Sequence, residues 1–261
     1  MSGCILTGGS CKEVKSLHTI AGGAARTADK AYTLTGGMAR LWYQCGTPLG
    51  SYAVGKTVKI AVGGKDYDWL VVHQGKPSSV YDDSCDGTWL LMKDIYEMQK
   101  WHTTNVNDYA NSTIHSYLNS TFLDLFKPRI KSAIKQVKIP YRKGSGTSTT
   151  VTSGSNGLSA KIFLLSATET SFNFSGMPSN EGAELAYFKG CADNSSDPKR
   201  VAYLNGYADY WWLRSPQCYG DSSALCVSDS GNWAKGNCSH TRGVRPCMIL
   251  PQDAMVDDAV A

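Results

Sequence analysis

The segment at residues 217–242 is rich in the residue types that proteins use to bind ligands. Of its 26 residues, 18 are Cys, Ser, Asn, Asp, Gly, Tyr, His or Thr, and Trp233 is its large aromatic residue. Rigid aromatic rings supply contact area and small polar groups supply adaptable hydrogen bonds, as in antibody paratopes. The alternative is a polar stretch without a ligand. We expect ligand contacts from Gln217, Tyr219, Asp221, Ser222, Ser223, Asn232, Trp233, Lys235, Asn237, Ser239, His240 and Arg242.

Catalysis by this segment would need a nucleophile and a base held in contact. Cys238 and His240 lie two residues apart, but the geometry of such a dyad depends on the fold and not on this spacing. His73, His102 and His115 fall in strand-like and helical stretches and are expected to be structural or surface residues. We therefore expect no enzymatic activity, no bound metal and no cofactor.

The cysteines leave two alternatives open. Nine are present and none forms a C-x-x-C pair, which argues against a structural zinc site. We expect reduced and mostly buried thiols, and a disulfide is the alternative for the group closest to the C-terminus. That group consists of Cys218, Cys226, Cys238 and Cys247.

Two apolar anchors flank the polar segment and must position it. Trp211, Trp212 and Leu213 have the bulk of a central strand, and residues 244–250 could supply its partner. We expect Arg214 and Arg245 to hydrogen-bond loop carbonyls or carboxylates as parts of the framework. A hairpin turn at residues 228–231 leaves residues 217–223 and 235–242 as exposed loops on either side.

The residues from 51 to 161 contain sequence patterns typical of strands and others typical of helices. Residues 57–71 predict a hairpin that turns at Gly63-Gly64, and residues 88–96 predict a further strand. A helix is expected after an N-cap at Asn111 or Ser112, and Pro128 begins a second amphipathic helix. That helix carries Ile130, Ile134 and Val137. Later segments predict a mobile loop at 144–157, a buried strand from 160 and a short helix at 181–188.

A repeat occupies the first forty residues. LTGGSCK, IAGGAAR and LTGGMAR recur with a spacing of fourteen, starting at Leu6, Ile20 and Leu34. Gly-Gly allows the positive φ angles of tight hairpin turns, so a β-ribbon or stacked hairpin module is expected. Because such small units bury little apolar surface, the module should pack on a neighbour or on other chains.

Composition and charge exclude several functional classes. The chain has 261 residues, 42% of them hydrophobic and 18% charged, which is typical of an ordered globular protein. A net charge of +4 is too small to favour nucleic-acid binding. We expect no membrane insertion, because no apolar run reaches spanning length, and no signal peptide at the N-terminus.

Two resemblances bear on function. From residue 51 to 251 the chain is similar to uncharacterised bacterial and phage domains with a C-type-lectin-like fold, related to formylglycine-generating enzymes. WWLRSP at Trp211, GVRP at Gly243 and the acidic Glu169 carry this resemblance. It implies an α+β domain with two helices on twisted antiparallel strands, at residues 49–261. The repeat at residues 1–48 resembles glycine-punctuated repeats of tail proteins from phages that infect Gram-positive bacteria.

The resemblances imply a phage tail-associated receptor-binding protein. It would act at the host surface from a virion or prophage-encoded particle, bind a host cell-surface protein or glycan, and contact other tail proteins through residues 1–48. Tail-tip analogy implies a homotrimer. The resemblance also extends to variable proteins of diversity-generating retroelements. These retroelements mutate AAC codons, and the mutated codons never encode Gln, Trp or Lys, the residues at Gln217, Trp233 and Lys235. The other residues of the segment 217–242 are compatible with this kind of mutation.

Two alternatives remain. One is a formylglycine-generating type of oxidase that uses Cys238 or Cys247, although the active-site pattern of those enzymes does not match this chain. The other is a structural virion protein that binds no ligand. Calcium-dependent sugar capture is not expected, because the Glu-Pro-Asn and Gln-Pro-Asp triplets of those lectins are missing from the sequence.

Overall fold

The computed structural model describes residues 4–256 except 8–9, 14–17, 22–23, 28–29, 36–37, 45–46, 145–149, 174–180, 193–194 and 219, with side chains described between 47 and 255. The chain forms two compact units. The first comprises Met1–Pro48 with Met255–Ala261, and the second comprises Leu49–Ala254. Among the described residues no helix is long and apolar enough to span a membrane.

The first unit contains the predicted hairpins. Its strands are β1 (Cys4–Thr7), β2 (Ser10–Glu13), β3 (His18–Ala21), β4 (Ala24–Thr27), β5 (Lys30–Thr35), β6 (Met38–Gln44) and β7 (Thr47–Pro48). In the three copies the innermost pairs are Thr7 with Ser10, Ala21 with Ala24, and Thr35 with Met38. In sequence, Gly-Gly separates each pair, and these glycines lie outside the described residues. The last strand of the chain, Met255–Val256, pairs with β7.

The described residues of the second unit form sixteen further strands and little helix. Its strands are β8 (Thr57–Val62), β9 (Lys65–Gln74), β10 (Thr88–Met92), β11 (Glu97–Lys100), β12 (Val137–Ile139), β13 (Tyr141–Arg142), β14 (Val151–Thr152), β15 (Leu158–Ala160), β16 (Ile162–Phe163), β17 (Tyr203–Leu204), β18 (Tyr207–Ala208), β19 (Trp211–Pro216), β20 (Ser223–Val227), β21 (Trp233–Asn237), β22 (Thr241–Val244) and β23 (Cys247–Leu250). The α-helices are α1 (Thr113–Tyr117) and α2 (Pro128–Ala133).

An antiparallel sheet of five strands has the order β16-β23-β10-β9-β8. The predicted hairpin β8–β9 is confirmed, with Val62 paired to Lys65. Gly63 and Gly64 have φ angles of 60° and 81°, the two positive values that a two-residue type I′ turn requires. Alternate residues of β8 are buried, which matches the apolar periodicity of its sequence.

A second sheet of five strands, which we call the loop-bearing sheet, has the order β11-β22-β19-β20-β21. The prediction that Trp211 begins a central strand is confirmed, because β19 lies in the middle and is buried throughout. The prediction that residues 244–250 pair with it is wrong for Met248 to Leu250. Strand β23 belongs to the other sheet, and β19 instead lies beside β20 and, in parallel at Trp211 and Gly243, beside β22.

One hydrophobic core joins the two sheets. Its buried members include Trp89 and Ile249 from the first sheet and Trp211 and Leu225 from the loop-bearing sheet. The ring of Trp89 meets that of Phe163 edge to face, with centroids 5.6 Å apart. Both of these rings belong to the first sheet, and the loop-bearing sheet contributes the fully buried Trp211 to the same core.

The predicted fold class, a C-type-lectin-like α+β domain with two helices, is wrong. The described residues form mostly small antiparallel sheets, with one helical run of 13 residues among them, Thr113–Leu125. Ser112 caps this run as expected, since its hydroxyl accepts from the His115 amide. Helix α2 ends at Ala133, before the predicted Ile134 and Val137, because Val137 enters β12 and pairs with Ala160.

Two local predictions also change. The expected helix at residues 181–188 is absent, since the Ala183 amide donates to the Tyr81 hydroxyl and the Leu185 amide donates to the Glu169 carbonyl instead of to helical partners. The expected loop at 144–157 contains strand β14, paired with β13, and a 3₁₀ turn at Gly154–Asn156. Residues 145–149 lie outside the described part of the chain.

Candidate ligand-binding surface

The structure brings two of the predicted segments together at one end of the loop-bearing sheet. Ser223 pairs with Asn237 at the ends of β20 and β21. Just beyond them, the Cys238 amide donates to the Ser222 carbonyl over 2.9 Å. We call residues 217–222 and 238–240 the loop surface. The prediction of an exposed loop at 235–242 is correct only for its middle, because residues 235–237 belong to β21 and 241–242 to β22.

A buried asparagine fixes the backbone of the first loop. Asn107 is fully buried, and its side-chain amide donates to the carbonyls of Gly220 and Ser223, both over 2.9 Å, and to that of Gln217 over 3.4 Å. Its backbone amide donates to the Asp221 carbonyl over 2.8 Å. Since unpaired carbonyls would be costly at a buried loop base, this residue holds the loop in one conformation.

The same segment of chain fixes the second part of the loop surface. The His102 amide donates to the Cys238 carbonyl over 2.9 Å, and the Ser239 amide donates to the Asn105 side chain over 3.2 Å. Sequence reasoning missed this support, although the polar run from 102 to 108 between a strand and a helix was its visible signal.

Five polar side chains of the loop surface are not used by the fold, whereas its two cysteines, Cys218 and Cys238, are buried. Asp221 and His240 are exposed, and Gln217, Ser222 and Ser239 are half-buried. None of these five side chains hydrogen-bonds with another described residue. The backbone of the loop surface is thus tied down while its side chains are available to a ligand. Tyr219 lies outside the described residues.

The remaining predicted contacts do not join the loop surface. Ser223 is buried, and its hydroxyl donates to the Asn237 side chain, which is exposed on β21. Asn232 lies at the opposite end of β21, where its backbone amide donates to the Ser228 hydroxyl and closes the predicted turn at 228–231. Trp233 and Lys235 follow it along the edge strand and are exposed.

Arg242 has a structural position. Its guanidinium carbon lies 4.4 Å from the ring centroid of Tyr210 and 5.6 Å from that of Trp212, and its Nε is buried without a hydrogen bond. A guanidinium held between two aromatic faces is stabilised by cation–π attraction. Arg242 therefore packs against the sheet and is not displayed with Asp221 and His240.

Arg214 lies in a buried ionic network beneath the loops. Its guanidinium donates to both oxygens of Glu169, over 2.5 and 2.7 Å, and all these groups are fully buried. Its Nε and Nη1 also donate to the carbonyls of Pro140 and Leu164. The predicted framework role of Arg214 is confirmed. The planar guanidinium group of arginine can donate two parallel hydrogen bonds to one carboxylate, which the ammonium group of lysine cannot do.

A second carboxylate completes the network. Glu181 is fully buried and accepts from the Ser215 hydroxyl and from the Arg142 backbone amide. Burial raises the pKa of Glu181 to about 7, against the opposing effect of Arg214. The Arg142 side chain donates to Sγ of Cys218 over 2.8 Å, which ties the network to the first loop.

Arg245 is the second framework arginine. It is buried, and it donates to the carbonyls of Met92 and Lys93 over 2.9 Å. Its guanidinium lies 4.8 Å from the Trp211 ring centroid. Burial lowers its pKa to about 10, and the predicted framework role is confirmed.

The thiols near the loop surface are poor nucleophiles. Burial raises the pKa of Cys238 to about 12 and that of Cys247 well above its ordinary value. The reactive species of cysteine is the thiolate, which these groups do not form near neutral pH. The cysteines whose side chains the structure describes are all free and buried, namely Cys85, Cys191, Cys218, Cys226, Cys238 and Cys247. In the part of the chain that the structure describes, no three His, Cys, Asp or Glu residues could together hold a metal ion.

Comparison with known families gives one match. Residues 86–252 match a domain of unknown function, DUF6273, and this region is more than half of the chain. It contains the loop surface, Asn107 and the Arg214 network. No curated protein and no solved structure matches the chain significantly.

Proposed function

The chain belongs to the DUF6273 family, and we propose that it is a ligand-binding protein that recognises a host cell-surface protein or glycan through the loop surface. The proposal rests on one observation: the backbone of the loop surface is held by hydrogen bonds, whereas several of its polar side chains form none with described residues. Asn107 alone donates to three carbonyls of the first loop and to that of Ser223 at the start of β20, whereas the Asp221 side chain forms no hydrogen bond with a described residue.

This division is what a recognition surface needs. Ordering a loop on binding costs conformational entropy, so a loop that is already fixed retains more of its contact energy as affinity. Small polar groups such as Ser222 and Ser239 can then form hydrogen bonds with a partner without disturbing the sheet. Replacement of these side chains should leave the fold intact, which is compatible with diversification by a retroelement.

The N-terminal repeat gives the proposal its biological setting. We propose that residues 1–48 attach the protein to other tail or virion proteins, with a homotrimer as the expected assembly. The three hairpins and their fourteen-residue spacing support a module made of equivalent small units. The protein would then act outside the cell, at the surface of a Gram-positive host.

Binding is a better proposal than catalysis. An oxidase of the formylglycine-generating type would need accessible thiols, but Cys238 and Cys247 are buried and their pKa values are raised. A structural virion protein without a ligand would not need a backbone fixed beneath unused polar side chains. The same experiment separates these alternatives.

The test is the binding of fluorescently labelled protein to a panel of intact Gram-positive bacteria. The loop variant carries Asp221→Ala, Ser222→Ala, Ser239→Ala and His240→Ala. The control variant carries Asp83→Ala, Lys127→Ala, Ser132→Ala and Lys189→Ala, all at exposed positions away from the loop surface. We expect the loop variant to lose binding at unchanged thermal stability and the control variant to keep it. Equal binding by both variants, or no binding by the unsubstituted protein, would refute the proposal.

A further inference from the structure

We propose that an open groove on the second unit is a separate binding site for a neutral oligosaccharide. The groove is formed by the β8–β9 hairpin, the connection at residues 92–96 and the β17–β18 ribbon. Its volume is about 490 Å³, within the range of about 300–1,000 Å³ that is usual for ligand sites.

Two fixed tyrosine rings line one side of the groove. The rings of Tyr67 and Tyr96 meet edge to face, with centroids 5.5 Å apart. Tyr96 in turn packs on the core ring of Phe122, at a centroid distance of 4.9 Å. Neither hydroxyl group hydrogen-bonds with a described residue. The rings are therefore preorganised, with their polar ends available.

A third tyrosine, Tyr203, also lines the groove and belongs to the β17–β18 ribbon. Tyr203 is 47% exposed and belongs to β17, which turns into β18 through Asn205 and Gly206. These two residues have φ angles of 53° and 86°, as a type I′ turn requires. The Tyr203 amide donates to the Asp94 side chain, and its carbonyl accepts from the Ile95 amide. The ribbon is thus held against the groove wall.

The charges of the groove balance. Three lysines, Lys59, Lys65 and Lys93, and three aspartates, Asp66, Asp68 and Asp94, line it. Asp68 lies 2.9 Å from the Lys59 ammonium and 3.8 Å from that of Lys93. A groove without net charge does not favour a phosphate or another polyanion, and its charged groups disfavour an apolar ligand.

A neutral saccharide fits these features. The C–H faces of a sugar ring carry slight positive charge and contact the electron-rich faces of aromatic rings. Sugar hydroxyls donate and accept, so they pair with carboxylates, ammonium groups and phenol hydroxyls alike. The groove shares no lining residue with the loop surface, so it can be tested separately from the proposed function.

The test uses a glycan array of neutral and anionic oligosaccharides, followed by calorimetric titration with the best neutral one in soluble form. Tyr203→Ala removes a ring from the groove, so the affinity of this variant for the neutral oligosaccharide should be about tenfold or more below that of the unsubstituted protein. Tyr207→Ala is the matched control, because Tyr207 lies on the same ribbon, is 80% exposed and does not line the groove. It should bind as the unsubstituted protein does.

The loop variant separates the two sites. Binding of a neutral glycan that is kept by the loop variant and weakened by Tyr203→Ala supports the groove. Absence of neutral-glycan binding, binding of anionic glycans alone, or equal affinity of the Tyr203→Ala and Tyr207→Ala proteins would overturn it. Loss in the loop variant with retention in Tyr203→Ala would overturn the groove while supporting the proposed function.

Discussion

The side-chain amide of Asn107 donates to the carbonyl oxygen of Gly220 over 2.9 Å, although the two residues are 113 positions apart in the sequence. This contact joins the segment before α1 to the first loop of the loop surface. It is one of four hydrogen bonds through which Asn107 fixes that loop. A residue outside the polar segment therefore determines the shape in which the segment is presented.

Removal of this residue should loosen the loop surface locally. Asn107→Ala leaves the carbonyls of Gln217 and Gly220 without their buried donor and removes one of the two donors to the Ser223 carbonyl, at a cost of about 2 kcal/mol or more. We expect amide hydrogen exchange at residues 217–223 to become faster by about tenfold or more, since local opening governs exchange there.

Asn119 provides the matched control. Its side chain accepts from the amides of Lys161 and Ile162 and donates to the Ile162 carbonyl, so it fixes a different segment. Asn119→Ala should accelerate exchange near residue 162 and leave residues 217–223 unchanged. If Asn107→Ala left amide exchange in the first loop unaltered, Asn107 would not be the residue that holds the backbone of this loop.

The ion pair between Arg214 and Glu169 should contribute strongly to stability. Glu169→Gln removes the carboxylate that accepts two hydrogen bonds from the fully buried guanidinium and leaves only the more distant Glu181, 3.9 Å away, which costs about 3–5 kcal/mol. The control is Asp124→Asn, which breaks the exposed pair with Lys131 and should cost less than about 1 kcal/mol. Urea unfolding of both variants measures the difference, and similar losses in the two would contradict the assignment.

Glu181 should make stability fall as the pH rises. Its pKa is raised from 4.5 to about 7, so between these values the folded protein keeps a proton that the unfolded chain has released. By linkage, unfolding then becomes easier with rising pH, by about 1–3 kcal/mol from about pH 5 to about pH 8. Glu181→Gln removes this dependence.

The effect of Glu181 is the difference in the pH dependence of the unfolding free energy between the unsubstituted protein and Glu181→Gln. The pKa values of His73 and His115 are lowered by burial, so these groups lower stability as the pH falls and act in the opposite direction. They are present in both proteins and cancel. A variant with the same pH profile of unfolding as the unsubstituted protein would show that Glu181 does not titrate in this range.

The described thiols should resist alkylation in the folded state. Cys85, Cys226 and Cys238 are buried, and burial raises the pKa of each to about 12. Mass spectrometry after iodoacetamide treatment should find them unmodified in native protein and modified in urea. Rapid native alkylation of Cys238 would instead favour the oxidase alternative.

The sequence predicted elements whose signals are local. Gly63-Gly64 within alternating strands predicted the β8–β9 hairpin, and Ser112 predicted the start of the helical run. The C-terminal end of α2 was not predictable from periodicity. Ile134 and Val137 have helical spacing, but Val137 gains more from pairing with Ala160 in a sheet. The fold class was wrong for a different reason, because it rested on the resemblance to C-type-lectin-like domains, whereas the described residues form mostly small antiparallel sheets.

The position of the loop surface could be predicted in part, and its role in binding stays a prediction. The polar composition indicated residues 217–242, and the structure gathers Asp221, Ser222, Ser239 and His240 at one end of a sheet. Composition does not reveal that Asn232 lies at the other end of β21. Nor does it reveal Asn107, whose partners are more than a hundred residues away. Contacts of that kind depend on which strands become neighbours.

The central claim is that the ligand touches the side chains of the loop surface. Site-specific photo-crosslinking tests it most directly, with a benzoylphenylalanine residue in place of Asp221 in one protein and of Asp83 in another, both exposed. On intact cells of a Gram-positive strain that binds the protein, we predict crosslinks to a cell-surface component from position 221 and none from position 83. Crosslinks from position 83 with none from position 221 would contradict the account.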